Sequence, residues 1–174
     1  MASRGSVIPL FIRQIQENKP LTVTDPRMTR FMMTIEDAVE LVLYAFRHGK
    51  PGDTFVQKAP AATIQVLAEA LRDLLHAGVP IHNIGTRHGE KRSESLLTRE
   101  EMAVAQDMGR YYRVPCDTRD LNYGVYFSEG DARLAHAVDY NSDNTVQLNI
   151  AGMQEMLLRL PCVQKALAGE RIET

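Results

Sequence analysis

RFMMTIEDAVELVLYAFRHGKPGDTFVQ, residues 30–57, changes its hydrophobic period twice within one short stretch, and that change decides the fold class. Arg30 to Met33 is a short extended run. Ile35, Ala38, Val39, Leu41, Val42, Ala45 and Phe46 then fall at helical spacing and predict a helix with a wide apolar stripe. Thr34 stands at the cap, with Asp37 three residues on as a variant of the capping box. Gly49 and Pro51 stop the helix, and Thr54 to Gln57 reads as a strand.

Outward from this unit the alternation continues. Val7 to Glu17 places Ile8, Phe11, Ile12 and Ile15 on one helical face, with Pro9 tolerated in the first turn. Leu21 to Thr24 alternates as a strand, and Asp25-Pro26 marks a turn. Thr63 caps a second helix carrying Val66, Leu67, Ala70, Leu71 and Leu74, which Gly78 is expected to close. Ile81 to Gly85 reads as a further strand. Strand and helix in alternation predict an α/β fold with some parallel pairing. Thr98-Arg99-Glu100-Glu101 is a capping box opening a helix to about Met108. Tyr111 to Val114 reads as a strand with one face in and one out. Residues 117–144 are turn-rich, which suggests a binding loop or an oligomer contact. Leu148 to Leu160 predicts a last helix, with a bend at Pro161.

Composition narrows the function. The chain has 174 residues and a formal charge of −2, so no nucleic-acid partner is expected. No stretch reaches the roughly 18 apolar residues of a membrane span, so no membrane partner is expected. Cys116 and Cys162 stand far apart, which fits a reduced, cytoplasmic protein. No GxSxG, HExxH or GxxxxGK[ST] motif is present, nor a glycine-rich dinucleotide-binding turn. His88 and Glu90 are too few for a metal centre, and Met28, Met32 and Met33 read as core filler. The strongest constellation is cationic: Thr86-Arg87-His88-Gly89-Glu90-Lys91-Arg92 follows a strand directly. Guanidinium forks match phosphate oxygens, and Glu90 suits vicinal hydroxyls of a ribose. Arg30 offers a second guanidinium from another element. A solvated, salt-bridged loop is the plain alternative.

The segments SRGSVIPLF, PLTVTDPRMTRFMMTIEDAVELVLYA, GDTFVQKAPAATI and IGTRHGEKRSESLLTREEM, in that order, resemble the UDP-N-acetylglucosamine 4,6-dehydratases of capsule and flagellin-glycan synthesis. Later runs, YYRVPCDTRDLNY and DYNSDNT, resemble the capsular members. The resemblance implies the carboxy-terminal, substrate-binding part of an extended short-chain dehydrogenase/reductase with an incomplete Rossmann sheet. It would comprise a substrate-binding region over 1–115 and an extension over 116–174. It also implies site roles. The strand Leu21, Thr22, Val23 and Thr24 would present backbone groups to uracil. Arg30 and Arg87 would contact the diphosphate, Glu90 would accept the ribose hydroxyls, and Ser6, Val7 and Pro9 would line the entrance.

In that family the NAD(P)-binding turn and the Tyr–Lys pair precede the SRGSV segment, which here starts at Ser3. This chain is therefore expected to bind no cofactor by itself, whereas the complete family enzyme uses NAD(P). It is expected to lack dehydratase turnover alone, and to self-associate or need a chain carrying the cofactor domain. The apolar faces of Phe11/Ile15 and Val39/Val42/Phe46 would then be partly exposed. A non-catalytic UDP-sugar-binding module and an inert remnant are the competing readings.

Overall fold

A computed structural model describes residues 5–116 and 136–172. Helix α1 (Val7–Gln16) leads into strand β1 (Leu21–Val23), and β2 (Thr29–Phe31) precedes helix α2 (Ile35–His48). Strands β3 (Thr54–Gln57) and β4 (Ala61–Thr63) come before helix α3 (Ile64–Leu74). Then follow β5 (Ile81–Asn83), β6 (Ser95–Leu97), α4 (Arg99–Val104), β7 (Gln106–Asp107) and β8 (Tyr111–Val114). Past the undescribed stretch lie β9 (Tyr140–Asn141), α5 (Ile150–Leu158) and α6 (Pro161–Leu167).

The mixed α/β character is as expected, but the strands are short and spread over several small sheets. β1 pairs parallel with β5, while β2–β4, β3–β8, β7–β8 and β6–β9 are antiparallel. Sequence periodicity shows no trace of β4, β6, β7 or β9, because two or three residues are too few to display a period. The helix expected to reach Met108 stops at Val104, and the chain turns back as β7 along β8.

The main core joins α1, α3, α5 and α6. Ile8, Phe11, Ile12, Leu67, Leu71, Met153, Leu157 and Val163 are buried together. Each such side chain contributes on the order of 1.5–3 kcal/mol through burial. Phe11 is fully buried and Ile15 packs at its edge, so the expected exposure of the α1 face does not occur. The reason is that α1 packs against α3 and α6, with Leu67, Leu71 and Val163 in the same core. Residues on both sides of 115/116 thus share one core.

The helix ends follow local chemistry. Thr34 accepts the Asp37 N–H while the Asp37 carboxylate accepts the Thr34 N–H at 2.9 Å, a complete capping box. Thr98 and Glu101 repeat the arrangement. Helix α3 ends earlier than Gly78, through His76 at φ 50°, with the Ala77 N–H returning to Arg72 O. Pro161 sits in the first turn of α6, so the bend expected there starts a new helix.

A smaller core lies under the β3–β8–β7 sheet, where Val56, Leu97 and Tyr140 are buried beside Phe31 and Tyr112. Tyr111 points to the opposite face, its ring 4.4 Å from Tyr44 of α2. The tyrosine pair divides between the two faces of the strand, but neither face is open, since Tyr111 is buried and Tyr112 packs on the smaller core. Helix α2 is the outlier. None of its residues is buried, and Ile35, Val39, Val42, Leu43 and Phe46 are exposed.

Leu157→Ala should destabilise the fold by about 2–5 kcal/mol, measured by urea unfolding, because it opens a cavity in the shared core. Burial pushes the Asp37 carboxyl up, but the Thr34 N–H and hydroxyl outweigh it and hold the group below its usual range. A depressed folded pKa stabilises above the unfolded value and fades as pH falls through the folded one. The gap in urea midpoint between wild type and Asp37→Asn should therefore be full at pH 7 and close below about pH 4.

Candidate functional site

Strands β1 and β5 run parallel, so their carboxyl ends lie side by side, the place where open α/β folds gather ligand loops. Ile84 donates its N–H to Val23 O at 2.8 Å, and the chain then leaves β5 as the charged turn. Helix α1 runs back antiparallel to β1. Gln14 brackets Thr22, its Oε1 accepting the Thr22 N–H at 3.2 Å and its Nε2 donating to Thr22 Oγ1 at 2.8 Å. The start of α1, Ser6 to Pro9, thus lies toward the same carboxyl end of β1. Val7 is partly buried and Pro9 buried. Ser6 Oγ is buried without a hydrogen-bond partner among the described residues. The segments expected to surround a nucleotide therefore gather at one end of the parallel pair.

On β1, Leu21 and Val23 point into the core and Thr22 is partly buried. Thr22 turns its main chain away from β5, where Gln14 already holds its N–H. Thr24 donates its hydroxyl to Met28 Sδ at 3.6 Å.

The Arg87–Glu90 segment is a built turn. Glu90 donates its N–H to Arg87 O at 3.2 Å, and its Oε2 accepts the Arg87 N–H at 3.0 Å. Gly89 sits at φ 84° while His88 has a negative φ, the pattern of a type II turn. Arg87 is exposed, and its guanidinium makes no hydrogen bond or ion pair with another described residue. Glu90 keeps its second carboxylate oxygen outside that turn bond.

Arg30 is engaged with main-chain carbonyls. Its Nη1 donates to Thr29 O at 2.7 Å and to Arg92 O at 3.2 Å, and its Nη2 donates to Lys91 O at 2.8 Å. Its Nε lies 3.7 Å from Glu94 Oε1. The guanidinium thus holds the strand-to-loop segment that follows Glu90, and a diphosphate contact would have to displace these bonds.

The loop has a second anchor that sequence reasoning missed. Thr29 donates its N–H to Arg92 O at 2.9 Å and its hydroxyl to Asp143 Oδ1 at 2.6 Å. Ser142 Oγ lies 2.7 Å from the Thr29 hydroxyl and accepts the Glu94 N–H at 3.0 Å. The run DYNSDN had no periodicity, yet its density of Ser, Asp and Asn was a signal for such side-chain-to-backbone bonding. The expected binding loop over 117–144 lies outside the described residues up to 135. Among the described residues no group of three or more His, Cys, Asp and Glu could hold a metal ion. No described helix is long and apolar enough to cross a membrane.

A mixed α/β fold gathering a cationic turn at the ends of a parallel strand pair is the class these observations define. The family model described as polysaccharide biosynthesis protein matches residues 1–116, and the model for the carboxy-terminal part of such proteins matches 117–164. The chain belongs to the polysaccharide biosynthesis protein family. Proteins named UDP-glucose 4-epimerase from Rickettsia felis and Rickettsia bellii are each 58% identical over 167 residues, 96% of this chain and 49% of theirs. An X-ray structure of Pen from Bacillus thuringiensis matches with a TM-score of 0.73 and 34% identity, over 92% of this chain and 46% of that one. The chain thus spans about half the length of the curated relatives it matches.

Gly89→Ala should destabilise the turn by roughly 1–2 kcal/mol, since only glycine takes a positive φ without a steric penalty. A Cβ there meets nothing within 4 Å, so the cost is conformational. Urea unfolding should fall by no more than that amount, while amide exchange at Glu90, whose N–H closes the turn, should quicken by about tenfold.

Proposed function

We propose that this chain binds the nucleotide end of a UDP-sugar in a polysaccharide-biosynthesis enzyme, as the carboxy-terminal part of an extended short-chain dehydrogenase/reductase. The observation carrying this reading is the Arg87–Glu90 turn, fixed in shape beside the carboxyl ends of β1 and β5 with the Arg87 guanidinium uncommitted.

Each group has work suited to its chemistry. Arg87 supplies a planar fork to the diphosphate. Glu90, its Oε2 already closing the turn, offers Oε1 to ribose hydroxyls. The Thr22 carbonyl and the main-chain groups of Thr24, just past β1, are offered to the uracil, and Ser6, Val7 and Pro9 form the wall beside it. Arg30 is a positioning residue, holding the carbonyls of Lys91 and Arg92 so that the turn keeps its place.

Two sugar chemistries fit this nucleotide grip. The sequence motifs resemble 4,6-dehydratases acting on UDP-N-acetylglucosamine, whereas the relatives at 58% identity carry the name UDP-glucose 4-epimerase. Both begin by oxidising the sugar at C4 with a bound nicotinamide, which supplies hydride chemistry. Among the described residues no strand passes through a glycine-rich turn into a helix. We therefore assign these residues to substrate binding and none to the redox step. The relatives' name favours epimerisation at C4 as the whole protein's reaction.

Calorimetric titration with UDP tests the grip. Binding is expected, with Arg87→Ala weakening it about tenfold, near 1.4 kcal/mol, and Glu90→Gln weakening it less. Arg30→Gln should also weaken it, with faster amide exchange at Glu94, which Arg87→Ala should leave unchanged. No heat of binding with UDP, or affinity untouched by Arg87→Ala, would remove the proposal.

A further inference from the structure

Leu21 donates its N–H to Pro80 O at 2.9 Å, and Val23 O accepts the Ile84 N–H at 2.8 Å, so both residues turn their main chain toward β5. A peptide unit is planar and trans, with its N–H and C=O pointing opposite ways. Pro20 O, Thr22 O and the N–H groups of Thr22 and Thr24 therefore lie on the outward edge of β1. Helix α1 reaches that edge at one residue. Gln14 Oε1 accepts the Thr22 N–H at 3.2 Å, and its Nε2 donates to the Thr22 hydroxyl at 2.8 Å. Pro20 has no N–H, so the main-chain donor that residues 20–24 keep on this edge is Thr24. Neither Thr22 O nor the Thr24 N–H has a hydrogen-bond partner among the described residues. Both threonines are partly buried.

The burial of α1 rests on Ile8, Phe11 and Ile12, with Ile15 at the edge. The Gln14 amide serves a different end, since both its polar atoms engage Thr22. Strand β1 pairs with β5 alone, so its outer edge has no second strand to hold its peptides in place. A bracket on the N–H and the hydroxyl of one residue supplies that hold. The result is a fixed acceptor, Thr22 O, beside a donor, the Thr24 N–H. Such a pair complements an imide, whose ring N–H and carbonyl are adjacent, as in uracil.

We propose that Gln14 is a positioning residue of the nucleotide site, holding the Thr22 peptide so that Thr22 O accepts the ring N–H of the base. The inference deepens the reading of this chain as a UDP-binding part and rests on it. Gln14 acts through Thr22 and not on the base itself. Arg87 and Glu90 grip the diphosphate and ribose from the other strand, so base and phosphate are held by separate elements.

Calorimetric titration of the full chain with UDP, N3-methyl-UDP and pyrophosphate separates the two grips. Wild type is expected to bind UDP about tenfold more tightly than N3-methyl-UDP, whose methyl group replaces the hydrogen that Thr22 O accepts. Gln14→Met keeps side-chain length and helix propensity but cannot bracket Thr22. It should weaken UDP, leave pyrophosphate unchanged and shrink the preference over N3-methyl-UDP to about twofold, a coupling that loss of packing alone would not produce. Gln14→Glu should restore the preference, because a carboxylate accepts both the Thr22 N–H and the Thr22 hydroxyl; its added charge lowers both affinities alike. Arg87→Ala should weaken UDP and pyrophosphate and leave the preference as it was. Wild type that binds UDP and N3-methyl-UDP alike overturns the proposal without any variant having to fold. So does a preference untouched by Gln14→Met in a chain with wild-type circular dichroism, or one that Gln14→Glu fails to restore. Absence of UDP binding removes the nucleotide grip itself, whereas UDP binding without the preference counts against Gln14 alone.

Discussion

A knot of hydrogen bonds at Thr29 and Arg30 ties together three segments that sequence keeps far apart. Thr29 meets Ser142 and Asp143, more than a hundred positions on, and Arg30 meets Lys91 and Arg92, about sixty positions on. The Thr29 and Ser142 hydroxyls are buried, so removing either leaves a buried polar group unpaired, while the carbonyls that Arg30 holds lie at the surface. Through this knot the charged turn after β5 is held against β2, and the turn's own geometry then places Arg87 outward. Arg30 acts as the clamp, while the Arg87 guanidinium makes no hydrogen bond or ion pair with a described residue.

The second constraint is burial. Helices α1, α3, α5 and α6 cover one another, so their apolar faces are satisfied within the chain. Helix α2 has a comparable apolar pattern and no such cover, since only its Ala38, Leu41, Tyr44 and Ala45 side turns toward the sheet. A stripe of that size left in water is a cost that folded chains rarely carry without a partner.

Much of this was legible before the fold was known, and the boundary has physical causes. Helices α1, α2 and α3 carry a clear 3.6-residue period, α2 and α3 have specific threonine caps, and Thr34 with Asp37 forms the box that its spacing announced. The cationic turn was visible because three positive side chains and a glycine follow a strand. The minor strands were invisible because their pairing partners lie from a few to more than forty positions away and each offers only two or three residues. Ser142 and Asp143 read as loop residues because their partners are distant in sequence.

By itself the sequence determined the helical periods, the caps, the residue types able to meet a phosphate and a ribose, and the resemblance to nucleotide-sugar enzymes. These are properties of neighbours a few positions apart, or of whole motifs kept in order. Only the tertiary structure decided which apolar faces are covered, which arginine is committed to carbonyls and which is left outward, and which strand ends the sheet. Those outcomes depend on groups brought together across the chain, and no local pattern of residues encodes how a hydrogen-bond donor will be shared among distant acceptors.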